Sequence, residues 1–122
     1  MENIKIKIDE NELKVLLKDY YKNLYNDDSV QVEYNSKFRY IGQNSEVEPI
    51  VWGVLTRNEN GEIKTEVIDL WNIYLFYEIF NSSQYENIKY TLDLDCDIKT
   101  PGKKDSERIN FKGINLTLRK IK

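Results

Sequence analysis

Residues 92–98 alternate apolar and acidic side chains, with Asp93, Asp95 and Asp97 separated by Leu94 and Cys96. Three carboxylates at a spacing of two can ligate a metal, imitate a row of phosphates, or face water. On an extended strand they share one face and stand roughly 7 Å apart. Mg²⁺ and Ca²⁺ hold oxygen ligands at about 2.0–2.6 Å, so neighbours in such a row do not chelate one ion. A calcium loop that opens DxDxD continues with a glycine and a distal glutamate, but here Cys96 and Ile98 stand where loop residues belong. No metal site and no cofactor is expected. The row is either a solvated face relieved by Lys112, Thr117 and Arg119 of the last strand, or a surface that meets a partner's Arg and Lys clusters. Asp27, Asp28 and Glu33 extend it if the two halves of the chain pack with corresponding turns together.

The chain has 122 residues, 40% hydrophobic and 32% charged, which describes one globular domain. It contains no histidine, which removes Ser-His-Asp and Cys-His catalysis, His-ligated zinc and a histidine proton shuttle. Its one cysteine, Cys96, excludes an internal disulfide, fits a reducing cytoplasm, and points to the apolar side of its strand. The start MENIKIKIDENE reads as neither a signal peptide nor a transit sequence, and no apolar run reaches the roughly 20 residues that span a bilayer. The net charge of −3 conceals an asymmetry. Residues 49–98 carry nine acids against three bases, and residues 99–122 carry eight bases against two acids. Pairing of the last segment with the one before it cancels much of this; otherwise the surface is bipolar. The cluster Lys99, Lys103, Lys104 and Arg108 reads as a solvated loop, and the acidity of the chain disfavours direct nucleic-acid binding.

The elements that position these residues follow from periodicity. Ile4, Ile6 and Ile8 alternate with lysines as a short strand, and Asp9 with Glu12 has capping-box spacing before a helix whose stripe is Leu13, Leu16, Leu17, Tyr20 and Leu24. Residues 26–29 stop that helix, and Val30 to Tyr40 form a long strand. Gly42 to Pro49 is a polar connection, and IVWGVL at 50–55 is a central strand. RNENGE at 57–62 turns into the strand EIKTEVI; Asp69 precedes a second helix over 70–80. Ile88 to Ile98 is a strictly alternating strand, TPGKKDSE is a long loop, and the last strand changes phase at Gly113, where a β-bulge is predicted. The order strand, helix, strand, strand occurs twice, over 3–55 and 62–120. Two such βαββ units predict an α+β domain with a mostly antiparallel six-stranded sheet and both helices on one face.

The second helix is apolar around nearly its whole circumference. With nine tyrosines in the chain, this points to self-association through Trp71, Tyr74, Leu75 and Tyr77, or else to an unusually deep core.

The helix ELKVLLKDYYKNLY followed by SVQVEY, the closing INFKGINLTLRKIK, and the richness in Ile, Lys, Asn and Tyr resemble small proteins of phages and mobile elements of low-GC Gram-positive bacteria. In size, acidity and lack of catalytic residues the chain resembles anti-CRISPR inhibitors. That resemblance carries no site residues with it. It implies a cytoplasmic, non-enzymatic inhibitor, here one that blocks a basic nucleic-acid-binding surface of a larger host protein with the Asp93/Asp95/Asp97 face. A toxin-neutralising immunity protein fits the same composition. So does a homo-oligomer that sequesters a nucleotide signal, with Tyr and Trp stacking the base and Arg57, Lys103 or Arg108 holding phosphates.

Overall fold

The computed structural model describes residues 3–41, 46–80, 85–95 and 109–120. Asp9 closes the first strand, β1 (Asn3–Asp9), and opens the first helix, α1 (Glu10–Tyr25). Its carboxylate accepts from the Glu12 N–H at 2.8 Å, the cap that the sequence predicts. Leu13 and Leu17 are buried, and Asn26, left-handed at φ 50°, ends the helix. Leu24 is exposed although its spacing places it on the buried stripe; Tyr21 and Tyr25 pack against the core in the last turn instead.

The strands β2 (Gln31–Ile41) and β3 (Glu46–Glu59) pair along their full lengths. The polar connection expected to end at Pro49 is therefore shorter, since Glu46 to Pro49 already face β2. Pro49 is tolerated because, among the described residues, β3 has only one neighbour there; β4 (Glu62–Ile68) pairs with residues 53–59. Asn60 and Gly61, at φ 53° and 84°, make the tight turn between β3 and β4 that two positive φ values permit.

The second helix, α2 (Ile73–Ile79), is shorter than the expected 70–80. Asp69 accepts from the Trp71 N–H at 2.9 Å and forms a turn, so Asn72 becomes the cap, accepting from Tyr74 N–H at 3.1 Å. The chain then runs through β5 (Tyr85–Asp95) and β6 (Asn110–Lys120). Gly113 has φ 138° and the β5–β6 register shifts beside it, so Phe111 and Ile114 are both buried; this is the predicted bulge.

The six strands form two antiparallel sheets of three, β1-β6-β5 and β2-β3-β4, rather than the single expected sheet. The turn at Asn60-Gly61 holds β4 on one edge of β3 while β2 occupies the other. β1 does not take the outer edge of β2 in its own half; its backbone groups are satisfied on β6 instead. Each half thus gives its first strand to the other half's hairpin. Exchanging the halves maps β1-β6-β5 onto β4-β3-β2.

One apolar cluster draws on both sheets and both helices, with Leu13, Leu17, Leu55, Phe76, Ile88, Ile114, Leu116 and Leu118 fully buried. Tyr34 of β2 meets Phe111 of β6 edge-to-face at 4.9 Å. α1 contacts β1, β6 and β2, and α2 contacts β5. Among the described residues no helix is long and apolar enough to cross a membrane.

Candidate functional site: the open face of the β1-β6-β5 sheet

Alternation along β6 turns Ile114, Leu116 and Leu118 inward and leaves Asn115, Thr117 and Arg119 on the other face. Pairing then builds rows across three strands. Lys5, Thr117 and Lys89 form one row, Lys7, Asn115 and Thr91 the next, and Asp9, Gly113 and Asp93 the last. Lys5, Lys7, Lys89, Thr91 and Asn115 are exposed, so this face is open to solvent. Two shallow hollows run along it: about 180 Å³ between Asn3, Lys89, Thr117 and Arg119, and about 200 Å³ between Lys5, Lys7, Asn115 and Thr117.

Asp93 and Asp95 stand on this face as the alternation requires. Each has a cation beside it: Lys7 Nζ lies 3.7 Å from Asp93 Oδ2, and Lys112 Nζ lies 3.6 Å from Asp95 Oδ2. Lys112 is a partner that the sequence offers; Lys7, from the far edge of the sheet, is one it does not single out. The surface is therefore bipolar rather than uniformly acidic. Asp9, Asp93 and Asp95 occupy the end near the bulge, and Lys5, Lys89 and Arg119 the other end. The signal for this was present in the lysines at 5 and 7, which alternate with isoleucine as strictly as the aspartates alternate with leucine. Asp97 and Cys96 lie outside the described residues, as does the cluster Lys99, Lys103, Lys104 and Arg108.

Asp27, Asp28 and Glu33 are not part of this face. Glu33 is on β2, in the other sheet, and pairs with Lys14 at 3.0 Å. Asp28 is fully exposed, 4.0 Å from Lys22. Asp27 is committed to the fold. Its Oδ1 accepts from the Ser29 hydroxyl at 2.6 Å and the Ser29 N–H at 2.8 Å, and its Oδ2 accepts from the Asn58 N–H at 3.1 Å. These donors, the Ser29 hydroxyl foremost, hold its carboxyl below the usual carboxylate range. Among the described residues no three acidic or cysteine side chains converge as a metal site.

On α2, Leu75 is buried and Tyr77 half-buried, so these two belong to the core rather than to an outer surface. The Tyr77 hydroxyl accepts from the Ile88 N–H at 3.1 Å. Trp71 and Tyr74 remain exposed, at 54% and 73%. Several other tyrosines are structural as well. Tyr20 donates to Glu78 and ties α1 to α2, which pushes its hydroxyl up to about 12. Tyr25 donates to Glu66 at 3.0 Å beneath the Arg57 guanidinium, 4.2 Å from its ring. Arg57 also pairs with Glu59 and Glu66 at 3.2 and 3.1 Å, so it is spent inside the fold.

A cleft of about 530 Å³ lies where β3 runs beyond the end of β4, lined by Arg39, Glu48, Ile50, Asp69, Trp71 and Leu94. Arg39 Nε donates to Glu48 at 2.8 Å and Asp69 accepts from the Trp71 N–H, which leaves the exposed Trp71 ring as the aromatic surface of the cleft.

Comparison with protein-family models, with curated proteins and with solved structures finds no match to this chain, so its function is argued from the geometry above.

Proposed function

We propose that this protein acts by binding rather than by catalysis, and that it presents the open face of the β1-β6-β5 sheet to a larger protein partner. The observation that carries this reading is the three-strand charge pattern, with acids at the bulge end and basic residues at the other, on a solvent-facing sheet. Among the described residues, Asp93 and Asp95 each have a long, flexible lysine at ion-pair distance. A partner's arginine forks can replace those lysines and gain bidentate geometry that an ammonium does not offer. In this reading the acidic end meets a basic, nucleic-acid-binding surface and excludes its natural ligand. That is the action of a phage-borne anti-defence inhibitor in a host cytoplasm. The lysine end selects partners whose basic surface is bordered by acids.

The test is capture of partners from host lysate at low and high salt, followed by titration with the variant Asp93→Asn/Asp95→Asn/Asp97→Asn. Binding should weaken steeply with salt, and the variant should lose it while keeping the wild-type circular dichroism spectrum and melting temperature. Unchanged affinity in the folded variant refutes the assignment. An immunity protein against a basic toxin uses the same surface, and the identity of the captured partner separates the two.

A second reading rests on the cleft beside Trp71, whose volume falls among small-molecule sites. There a flat, base-like ligand stacks on the indole. Arg57 is not available for its phosphates, being paired with Glu59 and Glu66. Thermal shift across a nucleotide panel tests this reading, and Trp71→Ala should abolish any shift it reveals.

A further inference from the structure

We propose that the exposed edge of β4 pairs antiparallel with the β4 of a second copy of this chain, joining two β2-β3-β4 sheets into one. Among the described residues β4 is an edge strand, with β3 as its one strand partner. Its outward backbone groups therefore form an open template for a further strand. Residues Glu62 to Thr65 and Val67 are exposed, and α1 and α2 make their main contacts with other strands.

The occupant is identified by self-complementarity. A two-fold axis through Thr65 sets Thr65 opposite its copy, Lys64 opposite Glu66, and Ile63 opposite Val67. Both ion pairs then carry opposite charges, and both apolar pairs lie on the same face of the joined sheet. Moving the axis to residue 64 or 66 puts Lys64 or Glu66 against its own copy. An axis at residue 63 keeps the charges opposite but shortens the paired segment. Ile63 and Val67 are 75% and 71% exposed, among the most exposed large hydrophobic side chains of the fold. β-branched residues left this open on a sheet surface are the ones that a second strand covers in the Thr65-centred register. Within one chain Lys64 reaches Glu62 at 3.2 Å and Glu66 is held by Tyr25 and Arg57, so the seam adds to contacts that these charges already make, whereas Ile63 and Val67 have no cover but the second strand.

This pairing is independent of the β1-β6-β5 face, so its test does not depend on the proposed function. Light scattering at rising concentration should show the mass climbing from 14.6 kDa towards twice that value. Lys64→Glu places like charges along the seam and should shift the midpoint to roughly tenfold higher concentration.

The register has its own readout in a Cys96→Ser background. Residues directly opposite in an antiparallel pair have Cα atoms about 4.5–5.5 Å apart, within disulfide range. Thr65→Cys should therefore crosslink to its own copy under mild oxidation. Ile63→Cys should not crosslink to itself, but it should crosslink when mixed with Val67→Cys. All three substitutions are at exposed positions, which protects the fold. A constant mass of 14.6 kDa up to millimolar concentration overturns the proposal. Equal crosslinking of Thr65→Cys and Ile63→Cys overturns it as well.

Discussion

Lys7 Nζ stands 3.7 Å from an Asp93 carboxylate oxygen, joining the two edge strands of the β1-β6-β5 sheet across β6. Gly113 is the β6 residue between Asp9 and Asp93 in the same row.

This relationship makes the two partners differ in sign. In binding to a basic surface, Lys7 competes with the partner's cations for Asp93. Lys7→Gln should tighten association by roughly three- to tenfold, while Asp93→Asn weakens it. Neither change should move folding stability by more than about 1 kcal/mol, because the pair is exposed on the Lys7 side. Binding titrations with the captured partner and urea melts read the two effects separately. Equal effects of the same sign would refute the competition.

Gly113 also has φ 138°, and a β-carbon there would press into the Ile8 carbonyl and stand 2.8 Å from Asp9 Cα. Because the obstructing atoms are backbone, β1 has to move. Gly113→Ala should cost about 2 kcal/mol or more, read as a lower urea midpoint with an unchanged slope. A neutral Gly113→Ala would mean that β1 does not lie where the structure puts it.

Alkaline pH should destabilise the fold through its tyrosines. The hydrogen bond to Glu78 raises Tyr20 to about 12, and burial raises Tyr34 and Tyr90 above their ordinary value of 10.0. The unfolded chain then releases these protons first, near pH 10, so stability is complete below that value. It falls as pH rises towards 12. Phenolate absorbance should show these tyrosines ionising late and together with unfolding, and Tyr20→Phe should make stability less sensitive to pH over this interval.

The Tyr90 hydroxyl is buried and has no hydrogen-bond partner among the described residues, while its ring packs on Phe76 at 4.6 Å. Tyr90→Phe keeps the ring contact and removes the unsatisfied group. It should raise stability by about 1 kcal/mol, measured as a higher melting temperature. Destabilisation of that size would show that the hydroxyl is bonded in solution.

Local features were legible because short-range physics sets them. The Asp9 cap, the alternation that puts Asp93 and Asp95 on one face, and the bulge at Gly113 each depend on residues within a few positions of one another. Asp69 misled because an aspartate before an apolar run serves a turn as readily as a cap, and the chain used it for the turn at Trp71. The apolar circumference of α2 pointed outward, yet Leu75 and Tyr77 are taken up by the core. The face also owes Lys5 at its cationic end, and Lys7 beside Asp93, to β1, whose lysines stand more than eighty residues from Lys89 in sequence.

The sequence by itself determined the order of strands and helices, the side of each strand that turns inward, and the doubling of a βαββ pattern. Only the tertiary structure decided that each half lends its first strand to the other, because periodicity specifies which face a strand buries and says nothing about which edge completes its hydrogen bonds. That exchange of strands makes two sheets out of six strands, and it brings the lysines of β1 beside the aspartates of β5 on one open face.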